Sequence, residues 1–99
     1  MKIIGDIVKL IDEEIEGAKC YTEKYIEHKA NGMDQWAEKY RAMARDELQH
    51  ANVLHEYAMM EIEKVNMVFK PRADMQKMWD ESHKKYVDCV AWVEEMLNM

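Results

Sequence analysis

The chain has 99 residues, of which 48% are hydrophobic and 34% charged, and its formal net charge is -6 at pH 7. This length predicts a single domain over residues 1–99 with a small core. The acidic balance argues against a nucleic-acid partner, because no Lys/Arg cluster is dense enough to follow a phosphate backbone. No apolar run approaches the roughly 20 residues of a membrane span, so no membrane partner is expected.

Helix-forming residues dominate the composition, with only three Gly and one Pro. This composition predicts an all-α protein. Cys20 and Cys89 lie far apart and show no Cys-x-x-Cys spacing, so we expect two reduced thiols. A soluble, cytoplasmic protein is the expectation that follows.

The first predicted helix runs from about Ile3 to Lys29. Its apolar residues recur at intervals of three and four, which defines one helical stripe: Ile4, Ile7, Val8, Ile11, Ile15, Ala18, Tyr21, Tyr25 and Ile26. Asn31-Gly32 supplies residues that tolerate a left-handed backbone and end a helix, and Asp34 is placed to cap the next one. The pattern predicts a tight αα-hairpin.

The second predicted helix runs from about Asp34 into the sixties, and a break is expected near residues 66–71. Lys70 precedes Pro71, which disfavours helical backbone at Lys70 and favours a restart with Pro71 at the first helical position. The third helix then extends from about Pro71 to Leu97. The prediction is an antiparallel bundle of three helices per chain.

Glu47 and His50 lie three residues apart on the second helix, so both project from one face and suit a single metal ion. Glu14 continues an apolar row on the first helix, where an unpaired carboxylate costs several kcal/mol unless a cation or hydrogen bonds compensate. Counted from the turn near Gly32, Glu14 and Glu47 are nearly level. The two carboxylates are therefore placed to share a cation.

Over residues 7–58 the chain resembles the ferritin-like superfamily, in particular its rubrerythrin and bacterioferritin branch. The resemblance rests on Glu14, on Tyr21 seven residues later, and on the run Glu47-x-x-His50-Ala51. It implies that Glu14 is a terminal ligand, Glu47 a bridging carboxylate and His50 a terminal imidazole, with Tyr21 directly behind these ligands. The implied cofactor is iron, two ions per site, with manganese as an alternative, and the implied chemistry is oxidation of Fe(II) by dioxygen or peroxide.

In that family two further helices complete the metal site, one with a Glu and one with a second Glu-x-x-His, whereas this chain has one helix left. Asp80-Glu81-Ser82-His83 offers a shortened counterpart, so Asp80 and His83 are added to the predicted metal ligands. We expect the third helix to run parallel to the first, in the position of the family's fourth helix.

The position of the break decides whether Asp80 and His83 reach the site. If the second helix continues to Phe69, His83 stops about 15 Å short of Glu47. If it ends near Val65, extended residues carry both side chains to the site. Delivery of both residues by a partner chain is a third possibility.

Each predicted ligand also has a purely structural interpretation. Glu47 and His50 suit the polar edge of a long helix, and Glu14 suits an ion pair with a Lys or Arg. Asp80 is favoured near a helix start by the helix dipole, and His83 suits a packed position between two aromatic residues.

The remaining histidines, His28 and His55, are predicted to face solvent. His55 lies off the face of His50, and His28 lies beside the turn.

Two functions remain open from the sequence. The first is a small ferritin-like di-metal protein. The alternative is a non-catalytic, oligomerising or partner-binding helical bundle with a degenerate or structural metal site. Because three helices leave apolar surface uncovered, a homodimer or larger homo-oligomer is expected in either case.

Overall fold

The computed structural model describes residues 2–68, 70 and 72–99. It contains three helices, α1 (Lys2–Ala30), α2 (Asp34–Val68) and α3 (Ala73–Leu97). The predicted all-α architecture is confirmed. The molecule is elongated, with principal extents of 55 × 18 × 17 Å. Within the described residues, no helix has an apolar stretch long enough to cross a lipid bilayer.

The hairpin between α1 and α2 turns at Gly32, whose φ of 72° lies in the left-handed region. The Met33 N–H donates to the His28 carbonyl at 2.9 Å, which closes the end of α1 in the manner of a Schellman motif. The Met33 carbonyl accepts the Ala37 N–H at 2.9 Å, so Met33 rather than Asp34 precedes the first turn of α2. Asp34 lies within that turn, where the helix dipole favours a carboxylate.

The contact between α1 and α2 combines large aliphatic residues with fully buried alanines. Ile11 and Ile15 are 1% and 2% exposed, and burying each isoleucine contributes about 1.5–3 kcal/mol. The alanines let the helix backbones approach closely, and all four are 0% exposed: Ala18, Ala44, Ala51 and Ala58. The predicted stripe on α1 is confirmed except at Ile26, which is 37% exposed.

Helix α3 runs parallel to α1, as predicted. Three contacts join residues at a nearly constant separation of 70 to 74 along the chain: Ser82 Oγ to Asp12 Oδ1, Lys29 Nζ to the Met99 carbonyl, and Cys89 Sγ to the Ile15 carbonyl. Cys89 and Cys20 are both free thiols, as expected.

The position of the break is closer to the first alternative, because α2 continues to Val68 and does not end near Val65; Phe69 itself lies outside the described residues. His83 consequently lies opposite His55, with 3.1 Å between Nδ1 and Nε2. Measured along α2, this is eight residues, or about 12 Å, from Glu47. The predicted helix start at Pro71 falls outside the described residues, and α3 begins at Ala73.

Candidate metal centre

The structure brings Glu14, Glu47 and His50 together across the α1–α2 contact. Their ligand atoms all lie within 4.8 Å of one another, and His50 Nδ1 is 3.4 Å from Glu14 Oε2. Donors at about 2.0–2.2 Å from one ion are separated by at most about 4.4 Å, so small side-chain rotations suffice for a shared ion. Within residues 2–68, 70 and 72–99, this is the one group of three or more His, Cys, Asp or Glu close enough to hold a metal.

Glu14 perturbs the carboxyl group of Glu47. The pKa of Glu47 is raised above its ordinary value, first because its carboxyl group shares a hydrogen bond with Glu14, then because burial removes it from water, and then because the Glu14 charge repels it. The charge of His50 lowers the pKa of Glu47. A cation between the carboxylates would remove this repulsion, and a set of oxygen donors with one imidazole suits a divalent metal such as iron or manganese.

Gly17 makes room for the Glu47 side chain, and it is not among the predicted site residues. A Cβ atom built at position 17 would lie 3.1 Å from Glu47 Oε2 and 3.3 Å from Glu47 Cδ. A glycine inside a helix costs about 1 kcal/mol relative to alanine. An interior helical glycine one turn after Glu14 was therefore a signal in the sequence that another side chain approaches α1 closely.

The three candidate ligands lie on the side of the α1–α2 hairpin that is opposite α3. Asp12 and Asn52 contact α3 through Ser82 and Tyr86. Glu14 follows Asp12 by two residues and His50 precedes Asn52 by two, which places each about 200° away around its helix. The side chains of Glu14 and His50 are accordingly 28% and 60% exposed. The site opens to solvent on this side.

Asp80 and His83 do not join the other predicted ligands within the chain. Asp80 accepts a hydrogen bond from Gln76 Nε2 at 3.0 Å and is exposed, and His83 contacts His55. The physical reason is that α3 packs on the side of the hairpin away from Glu14 and His50, so it does not take the position predicted for it, that of the family's fourth helix. The length of α2 also keeps His83 away from the level of Glu47. Among the described residues, the intrachain group comprises two carboxylates and one imidazole.

His55 belongs to an aromatic cluster, so its predicted exposure to solvent is wrong. Its ring stacks on Tyr86 with centroids 4.5 Å apart and planes 8° from parallel, and lies 5.8 Å from Trp79. Burial, followed by the neighbouring His83, lowers the pKa of His55 below its ordinary value. His83 thus packs between Trp79 and Tyr86, as its purely structural interpretation predicts.

Tyr21 and His28 both lie close to Tyr40. Tyr21, two turns after Glu14, stacks on Tyr40 with centroids 6.2 Å apart. The half-buried His28 ring lies 4.9 Å from the Tyr40 ring, and its Nδ1–H donates to the Lys24 carbonyl at 2.7 Å. His28 thus packs against Tyr40 while its hydrogen bond to Lys24 is exposed to solvent, so the expectation of a solvent-facing His28 is met only in part.

Comparison with known families gives a match to the rubrerythrin family over residues 8–96. The matched range includes all three clustered ligands as well as α3. No curated protein and no solved structure matched significantly.

Proposed function

The chain belongs to the rubrerythrin family, and on that basis we propose that it is a small di-metal carboxylate protein that binds iron, or alternatively manganese. The observation that carries the proposal is the convergence of Glu14, Glu47 and His50, whose ligand atoms lie within 4.8 Å of one another. Carboxylate oxygens with an imidazole are suitable ligands for both metals. The mutual repulsion of Glu14 and Glu47 gives a bound cation an electrostatic advantage.

The proposed activity is oxidation of Fe(II). Two Fe(II) ions transfer one electron each to dioxygen, which takes up two protons to give hydrogen peroxide; with peroxide as the oxidant, two electrons and two protons give two molecules of water. Glu14 and Glu47 supply the negative charge that favours the Fe(III) product. His50, with a 60% exposed side chain, lies at the solvent side where metal would enter.

An anaerobic Fe(II) titration followed by exposure to oxygen tests this function. We expect saturable binding, and then near-ultraviolet absorption of protein-bound Fe(III) that develops faster than oxidation of Fe(II) in buffer. Glu47→Gln and His50→Ala should abolish both signals. Glu63→Gln, an exposed carboxylate elsewhere on α2, is the matched control and should behave as wild type. Wild-type protein that binds no Fe(II) above the background of the two site variants would refute the proposal.

The competing function is a non-catalytic helical bundle with a structural metal site. It is favoured by the small intrachain ligand group, because three donors leave much of a metal's coordination shell to other ligands. Saturable Fe(II) binding with no acceleration of oxidation by dioxygen or peroxide would identify this function.

A further inference from the structure

The candidate metal centre lies on an uncovered face of the α1–α2 hairpin. Helix α3 packs on the other side, and His50 has a 60% exposed side chain. A di-metal site in a four-helix bundle uses about six residues, one Glu from each of two helices and a Glu-x-x-His from each of the other two, whereas the cluster provides three residues. A di-metal site built from these three residues is therefore half of a ligand set, and the missing half has to approach from the open side.

Exposed apolar residues flank the ligands along this same face. On α2, Trp36, Met43 and Tyr57 are 53%, 40% and 41% exposed, and together with His50 they recur at intervals of seven residues. On α1, Leu10 is 46% exposed and lies four residues, about one turn, before Glu14. A seven-residue repeat of this kind places side chains in one row and is the pattern of a helix that packs against further helices.

We infer that a second copy of the chain packs on this face about a two-fold axis through the metal centre, an inference that rests on the proposed function. Both copies then contribute Glu14, Glu47 and His50, which gives four carboxylates and two imidazoles. Two of the four facing helices supply one Glu each and the other two supply a Glu-x-x-His. This is the ligand arrangement of a di-metal site in a four-helix bundle. A two-fold contact needs a face that is complementary to its own copy. This face meets the requirement, because each copy supplies the three ligands that the other copy lacks.

The dimensions of the face agree with a stable dimer. Helix α1 has 29 residues and a length of about 44 Å. Two neighbouring helices of about 10 Å diameter make the hairpin about 20 Å wide, so the face presents roughly 900 Å² per partner, close to the roughly 800 Å² of a standard specific interface. Glu14 lies twelve residues after Lys2 and sixteen before Ala30. An axis at this central position leaves most of both helices in contact, whether the copies run parallel or antiparallel.

Metal binding and association are linked in this arrangement. The carboxylates of two copies repel one another across the interface, and the cations between them offset that repulsion. Metal therefore binds the dimer more tightly than the monomer, and saturating metal shifts the equilibrium toward the dimer.

Leu10→Arg tests the inference because it alters the open face without altering a ligand. Met59→Arg is the matched control, since Met59 is 47% exposed and lies nine residues, or about 180° around α2, from His50. Met43→Arg repeats the test from the other helix. Each variant and the wild type are examined by circular dichroism, by sedimentation velocity with and without Mn(II), and by counting bound Mn(II) from the electron paramagnetic resonance signal of the free ion.

We expect the wild type and Met59→Arg to sediment as dimers, or as assemblies of dimers, with one Mn(II) bound per chain. Leu10→Arg and Met43→Arg should remain helical, sediment as monomers and bind Mn(II) at least tenfold more weakly. Wild-type protein that binds Mn(II) as a monomer, or monomeric variants that bind it with wild-type affinity, would overturn the inference and leave the proposed metal function intact. Wild-type protein that binds neither Mn(II) nor Fe(II) would overturn both.

Discussion

Replacing Gly17 with alanine should make the protein more stable and its metal site weaker. Gly17 lies inside α1, where a glycine costs about 1 kcal/mol relative to alanine because it loses more backbone freedom on folding. Gly17→Ala is therefore expected to raise the free energy of unfolding of the metal-free protein by up to about 1 kcal/mol. For a domain of this size, that gain corresponds to an increase in melting temperature of roughly 4–8 °C.

Gly17→Ala weakens the metal site because the added methyl group displaces the Glu47 carboxylate. The new methyl carbon would lie 3.1 Å from Glu47 Oε2, against 3.4–4 Å for an ordinary contact, so the carboxylate has to move by a few tenths of an ångström. Glu47 is a flexible side chain, and the shift costs little in stability. Metal–ligand distances are set to within about 0.2 Å, and mutating a residue that orients a ligand typically weakens metal binding by about 10–100-fold. We expect metal affinity to fall by at least about tenfold.

Thermal unfolding followed by circular dichroism and a Mn(II) titration measure the two effects separately. Gly5→Ala is the matched control, because it changes another helical glycine with no heavy atom within 4 Å of the added Cβ. It should raise the melting temperature without changing Mn(II) affinity. If Gly17→Ala binds Mn(II) as tightly as Gly5→Ala does, the close approach of Glu47 to α1 has no role in metal binding.

Two further predictions concern stability. Burial lowers the pKa of His55, so its neutral imidazole contributes stability that is present above the ordinary pKa of about 6.5 and is lost as the pH falls through the lowered pKa of the folded state. His55→Phe should therefore flatten the dependence of the urea-unfolding free energy on pH between about 7.5 and 5. An unchanged slope would contradict this. Ile11→Ala removes a side chain that is 1% exposed and should cost about 2–5 kcal/mol in the same assay. Val87→Ala, at a 48% exposed position, should change stability by less than about 0.5 kcal/mol, and equal losses in the two variants would show that Ile11 is not a core residue.

Much of this protein follows from local rules in its sequence. The spacing of apolar residues predicts all three helices, because a helix buries one stripe at intervals of three and four. Gly32 ends α1 because it adopts a positive φ without strain. The grouping of Glu14 with Glu47 and His50 also follows from counting residues on either side of one short turn, since rise per residue fixes which positions are level in an antiparallel pair.

The tertiary structure alone decided where α3 packs, and with it the composition of the intrachain site. A helix rotates by about 100° and advances about 1.5 Å with every residue, so ending α2 at Val68 rather than Val65 moves and turns everything that follows. Asp80 and His83 consequently lie away from Glu14, Glu47 and His50, and His83 packs on His55. The spacing of apolar residues predicts which stripe of a helix is buried, but it does not predict on which side of a hairpin the next helix packs. That choice leaves Glu14, Glu47 and His50 on the open face, because α3 packs on the other side of the hairpin.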